Sequence, residues 1–171
     1  MSTSSASLNA AGSTGLHWLY GRFCAATRLL RSPFLLLVRL YWGWQFMQTG
    51  WGKLHNLSHV RDFFSSLGIP APGVMAPFIS CLEFFGGILL IVGLGTRIIG
   101  LLLACNMLVA YITADLPAFK SIFSDPGKFY IADPFTFFFA SLIAFIFGAG
   151  LLSLDAILDK AWLGRKGITS A

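Results

Sequence analysis

The sequence predicts an all-α integral membrane protein: a four-helix bundle, antiparallel and up-down, with short amphipathic helices at the membrane interface. Three observations predict it. The chain is 171 residues long, 56% hydrophobic and only 11% charged, whereas soluble domains carry about 25% charged residues. A chain this small exposes much of its surface whatever its fold, and so few charges cannot cover that surface in water. Four stretches are also apolar for close to the roughly 20 helical residues that a bilayer core requires. Strand-length segments of alternating polarity are absent from the sequence, which leaves helices to satisfy the backbone in lipid.

Taken in order, residues 1–15 are mostly Ser, Thr, Ala and Gly with no charge and read as a disordered tail. Residues 16–32 place Leu16, Leu19, Tyr20, Phe23 and Leu30 at helical spacing among Arg22, Arg28 and Arg31, the pattern of a juxtamembrane amphipathic helix. Residues 33–156 hold the spans: Pro33 to Leu54, Val74 to Leu94, Ile98 to Leu116 and Pro134 to Leu154. Between the first two, Val60, Phe63, Phe64 and Leu67 fall at i, i+3, i+4 and i+7, and Gly68, Pro70 and Pro72 end that short helix. Only Gly95, Thr96 and Arg97 separate the next two spans, which makes them antiparallel neighbours. Residues 115–133, with Pro117, Asp125, Pro126, Gly127 and Asp133, form a loop, and residues 157–171 are a basic amphipathic tail. Small-residue rows (Ala140, Ala144 and Gly148; Gly100 and Ala104; Gly86 with Gly87) suit close helix packing.

Twelve basic and seven acidic residues give a net charge of +5. The basic residues flank apolar segments, so the partner they imply is the lipid bilayer and not nucleic acid. Arg22, Arg28, Arg31, Arg97, Lys160, Arg165 and Lys166 lie on the side of the termini; Lys53, Arg61, Lys120 and Lys128 lie on the other. This asymmetry puts both termini in the cytoplasm.

Glu83, in the run CLEFFGGILL, is the most conspicuous residue. An acid at mid-bilayer costs a few kcal/mol on even the mildest scales, so it must face protein, a cavity or a ligand. At about 1.5 Å per residue, Glu83 lies roughly 16 Å and Gln45 roughly 18 Å from the inner edge, with Gln48 about one turn higher. Arg39 lies roughly 9 Å and Asn106 roughly 12 Å from that edge. Gln45 is thus the expected level partner, and Arg39 either reaches toward Glu83 or snorkels to inner headgroups. Two readings stand side by side. Glu83 and Gln45 are interhelical glue, or Glu83 is a proton-handling acid in a quinone-binding pocket. That pocket would be built from Gln45, Gln48, Trp44, Asn106 and Arg39 and walled by Trp42, Phe46, Phe84 and Phe85. Lys53 reads as an interfacial anchor, or as an outer cation that holds an anion or pairs with an acid of 115–133.

His55 and His59 are spaced i, i+4, but no third metal-type ligand stands close in sequence, so no metal site is expected. Motifs for a thiol oxidase, c-type haem, dinucleotide, P-loop or serine-nucleophile chemistry are absent from the sequence.

The runs GWQFMQTGWGKL (Gly43 to Leu54), LGIPAP (Leu67 to Pro72), LEFFGGILLIVGLGTR (Leu82 to Arg97) and FGAGLLSLD (Phe147 to Asp155) together resemble the DoxX family of four-helix membrane proteins. The resemblance covers about residues 34–156. The family's Gly-Pro-Gly ending reads Gly148-Ala149-Gly150 here. Its members include the membrane subunit of a thiosulfate:quinone oxidoreductase and an accessory protein of methylamine dehydrogenase maturation. The resemblance therefore implies a bacterial inner-membrane protein, either a quinone-linked redox subunit with a partner subunit or a helper for one, with quinone as the cofactor. A non-catalytic assembly or structural subunit is the alternative, a small-solute transporter a second, and a homo-oligomer is compatible with each. Motif positions include Glu83, Gln45, Lys53, Arg97 and Asp155, and Arg97 is expected to pair with Asp155 at the inner turn.

Overall fold

The computed structural model describes residues 4–168, all of whose regular structure is helical: α1 (Ser4–His55), α2 (Leu57–Ser66), α3 (Pro72–Val92), α4 (Thr96–Thr113), α5 (Leu116–Lys120), α6 (Pro126–Ile131), α7 (Pro134–Phe147) and α8 (Leu154–Ile168). Residues 1–3 of the expected tail, and 169–171 of the basic tail, lie outside the described residues. From Ser4 onward the structure differs from the three-part division of tail, surface helix and first span. One 52-residue helix runs through all of it, about 78 Å long at helical rise. Pro33, expected at the start of a span, lies inside this helix. It has no N–H for the Leu29 carbonyl, and beside it Ser32 Oγ accepts a 2.8 Å hydrogen bond from the Leu151 amide. What changes near Pro33 is burial: Leu35 is the first buried residue of α1 among its described side chains.

Glycines set the turns. Gly93 (φ 75°) ends α3 and Gly95 (φ 60°) precedes α4, both in the left-handed region that favours glycine. Three residues, Gly93 to Gly95, thus separate the two helices. The fourth apolar helix is shorter than the stretch Pro134 to Leu154 suggests. α7 stops at Phe147 after 14 residues, because Gly148 (φ 72°) and Gly150 (φ 75°) turn the chain out of the helix.

That turning segment clasps α1, the end of α3 and the start of α4. The Leu152 carbonyl accepts a hydrogen bond from Arg39 Nη2 on α1. The Asp155 amide donates to the Gly93 carbonyl at 2.9 Å. The Asp155 carboxylate accepts from the Gly95 amide at 2.7 Å and the Thr96 amide at 3.0 Å, capping α4.

Packing follows two strong pairings, α1 with α3 and α4 with α7, while α2 lies on α3. The buried stripe of α3 is Ala76, Ser80, Glu83, Gly86, Gly87 and Leu90. Its small and polar residues face inward, while Phe78, Phe85 and Val92 face out. On α4, likewise, Gly100 and Ala104 are inside and Ile98, Leu101 and Val109 outside. Exposing so much apolar surface is foreign to soluble monomers and is what lipid contact calls for. Among the described residues, α3 and α4 are the helices long and apolar enough to cross a membrane. α1 misses that measure because its apolar run is interrupted by Arg39, Gln45, Gln48 and Lys53.

Backbone contact sets the register of α1 on α3. A side chain at Gly50 would strike the Phe84 backbone, and one at Gly87 the backbone of Gly43 and Met47. On α4, a Cβ at Gly100 would come within 2.7 Å of the Phe145 amide nitrogen. Gly87→Val should therefore cost about 1–3 kcal/mol or more, through overpacking against backbone that cannot yield. Gly52→Val, at a position with open space, should not. Thermal unfolding of the two detergent-solubilised variants checks this, and equal melting points would contradict the register.

Candidate functional site

The close approach at Gly50 brings the last turn of α1 alongside the middle of α3. Lys53, one turn beyond Gly50, places its Nζ 2.6 Å from Glu83 Oε1 and 2.7 Å from Oε2. From α4, Asn106 Nδ2 donates to Glu83 Oε1 at 3.0 Å. The carboxylate is 1% exposed and the lysine side chain 34%. Glu83 is thus held by three charge-assisted hydrogen bonds from two helices. Lys53 and Asn106 are part exposed, while Glu83 is buried.

These groups border a cavity of about 790 Å³, lined by α1, α2, α3, α4, α6 and the start of α7. Lys53, Glu83 and Asn106 form its polar floor. Phe46, Phe63, Phe64, Tyr130 and Phe137 supply aromatic wall, while His59, Asp115 and Asp133 add polar groups near the connecting segments. A packed cluster of Phe46, Leu90, Leu103, Met107 and Ala144 adjoins the space, which Phe46 and Met107 also line. Beside it Tyr111, wholly buried, ties α4 to α6 by donating to the Phe129 carbonyl at 2.7 Å and stacking on the Phe129 ring.

Two of the expected pocket residues meet here, Glu83 and Asn106. Gln45 is not the partner of Glu83, and Lys53 takes that place. Counting depth from assumed span ends misjudged the register by about six residues, since Gly50, not Gln45, lies level with Phe84. Gln48 is exposed, and Trp44 is 52% exposed on the outer face. Phe84 lies against Trp51, and Phe85 is likewise exposed. None of these four lines the cavity. Lys53 pairs with Glu83 and not with an acid of residues 115–133. The wall from α2 was missed as wall. Its face Val60, Phe63, Phe64 and Leu67 was legible as amphipathic, but it is turned to the cavity as well as the interface. His55 Nδ1 lies 2.9 Å from the Trp51 carbonyl, while His59 belongs to α2 beyond the break at Asn56.

Arg39 neither reaches Glu83 nor snorkels. It is 1% exposed, with Nη2 on the Leu152 carbonyl and Nη1 against Gly93, where no side chain has room; its Nε and Nη1 have no hydrogen-bond partner among the described residues. The expected Arg97–Asp155 pair is absent among the described contacts. Arg97 lies over Gly148, and Asp155 spends both oxygens on the amides of Gly95 and Thr96. The main-chain amides at the start of α4 outcompete a long, exposed side chain because they are already fixed in position.

Two outcomes follow from this geometry. Glu83→Ala leaves Lys53 without its counter-charge and should destabilise the protein by roughly 2–4 kcal/mol, less than for a fully buried pair because Lys53 is part exposed. Neutralising the exposed Arg61–Asp62 pair should change little. Asp155→Ala should cost about 1–2 kcal/mol through loss of the α4 cap, while Arg97→Ala leaves that cap intact. Melting temperatures of the four variants in one detergent measure all of this, and a larger loss in Arg97→Ala than in Asp155→Ala would contradict the capping arrangement.

With this geometry established, comparison with known proteins places the chain. The DoxX family profile matches residues 34–116. A Bacillus subtilis (strain 168) protein named "Putative oxidoreductase CatD" is 32% identical over 131 residues, covering 77% of this chain and 89% of that protein. An Escherichia coli (strain K12) protein named "Inner membrane protein YqjF" is 28% identical over 130 residues, covering 75% of this chain and 94% of its own length. No solved structure gives a significant match. The profile match and the shared identity along nearly the whole of CatD establish that this chain is a membrane protein belonging to the DoxX family.

Proposed function

We propose that this protein is a quinone-linked subunit, or an accessory subunit, of an inner-membrane oxidoreductase, built as four antiparallel crossings with both termini in the cytoplasm. The observation that carries the reading is the Lys53–Glu83–Asn106 floor of a 790 Å³ cavity that is otherwise mostly apolar. That volume falls within the range of small-molecule sites, where a few converging polar groups fix orientation and apolar walls supply contact. Aromatic rings along the wall suit a flat ring, and the remaining N–H groups of Lys53 and Asn106 suit its carbonyl oxygens. The names of the two relatives, an oxidoreductase and an inner-membrane protein, agree with the location and the class.

A bound quinone would accept or return electrons. The chain's own residues would seat its ring, orient a carbonyl on Lys53 and Asn106, and exchange a proton at the Glu83 carboxylate. Electrons would come from a partner subunit, since side chains such as these bind and position without carrying them. The inverted packing of α3 and α4 supports crossings by these helices, with α1 and α7 paired against them.

The test is quinone content. Protein purified from native membranes should carry extractable quinone, and Glu83→Gln and Lys53→Met should each lower its amount at least about tenfold, the loss of one or two buried hydrogen bonds to the ligand. Equal quinone content in wild type and both variants would refute this reading.

A further inference from the structure

Away from the cavity, the turn that ends α7 gathers three arginines. Arg31 of α1 donates from Nη2 to the Phe147 carbonyl at 3.4 Å, and its guanidinium lies 5.5 Å from the centre of the Phe147 ring. Arg97, in the first turn of α4, lies over the next residue, with Nε 3.1 Å from the point where a side chain at Gly148 would begin. By standard backbone dimensions, Arg31 Nη2 and Arg97 Nε are no more than about 11 Å apart. Arg39 is buried against the same turning segment, with Nη2 on the Leu152 carbonyl and Nε and Nη1 without a partner among the described residues.

Little negative charge answers this group. Arg31 and Arg97 are exposed, and neither forms an ion pair among the described residues. Asp155 spends its oxygens on the amides of Gly95 and Thr96. Asp159 follows one turn later on α8, with Lys160 beside it. With Asp155 set against Arg39, and Asp159 against Lys160, Arg31 and Arg97 remain as surplus cations. A guanidinium has five N–H donors, so the single carbonyl on Arg31 leaves most of them unspent. On both helices the next turn is exposed and apolar: Phe34 stands three residues after Arg31, and Leu101 four residues after Arg97. Ile98, Phe147 and Leu151 are exposed as well. α4 is long and apolar enough to cross a membrane, and Arg97 is its second residue. The arginine therefore stands at headgroup depth, and the apolar side chains stand where acyl chains begin.

We propose that Arg31 and Arg97 form a binding site for the phosphate diester of an anionic glycerophospholipid. A phosphate that accepts from a guanidinium on either side spans roughly 8 Å between donor nitrogens, within the separation found here. The exposed apolar side chains take the acyl chains, and that second contact selects a lipid over free phosphate. The bound headgroup links α1 to α4, both of which pack on α7. Arg39 adds its charge to the site's field from within the fold.

Native mass spectrometry of the full chain in detergent, titrated with phosphatidylglycerol or with phosphatidylcholine of the same acyl chains, tests the site. The anionic lipid should bind at least roughly tenfold more tightly, because each basic residue near an anionic headgroup contributes on the order of 1 kcal/mol. That preference should be lost in Arg31→Gln with Arg97→Gln. It should persist in Arg61→Gln with Lys120→Gln, which removes two positive charges elsewhere. Excess sodium phosphate should displace no more of the anionic lipid than sodium chloride of equal ionic strength. Equal binding of the two lipids by the wild type would overturn the site, a result that needs no variant to fold. Unchanged preference in Arg31→Gln with Arg97→Gln, or the same loss in both double variants, would also overturn it, the latter by reducing the effect to net charge. Displacement by phosphate beyond that by chloride would make the occupant a free anion and overturn the lipid assignment.

Discussion

A carboxylate in an apolar interior is tolerated only when its charge is answered on the spot, and in this protein Glu83 imposes that requirement on the whole bundle. Answering it takes an ammonium from α1 and an amide from α4. Glycine at Gly43, Gly50 and Gly87 lets the two helix backbones nearly touch, and in that register Lys53 meets Glu83. The same approach consumes the space between α1 and α3 and leaves the unfilled volume on the other side of the acid. One ion pair thereby fixes the pairing of two helices and the location of the cavity.

The two sides of Glu83 are built on different terms. Outward from Glu83 the helices are bridged by aromatic side chains and by the short helices α2 and α6, which enclose space. On the other side polar groups lean on the main chain: the buried Arg39 places Nη2 on the Leu152 carbonyl, its Nε and Nη1 having no partner among the described residues, and Asp155 accepts from the amides of Gly95 and Thr96. The polar groups of the cavity are themselves held in place, Glu83 by Lys53 and Asn106, which is what positioning a ligand requires.

Much of this was legible in the sequence. Low charge and long apolar runs gave the helical membrane character, and an acid in CLEFFGGILL marked the centre of the site. Asn106 was legible too, as an amide on a facing span. Register was not, because depth counted from span ends ignores how closely two particular helices approach. The clue was the glycine spacing Gly43, Gly50 and Gly87, which says where backbones meet and hence that Lys53, not Gln45, is level with Glu83. Arg39 and Asp155 were misassigned for a related reason. Both bind main-chain groups, and a sequence pattern shows side chains seeking side chains while hiding the carbonyls and amides freed where helices end.

The clasp formed by residues 148–155 has a consequence for biogenesis. These residues are made after every helix they secure, so a ribosome that has delivered α1, α3 and α4 has delivered a buried guanidinium without its acceptor and a helix start without its cap. Until Leu152 and Asp155 emerge, these groups stay open to competing partners. A protein stopped short of its final helix would be marked for disposal by its own unmet polar groups.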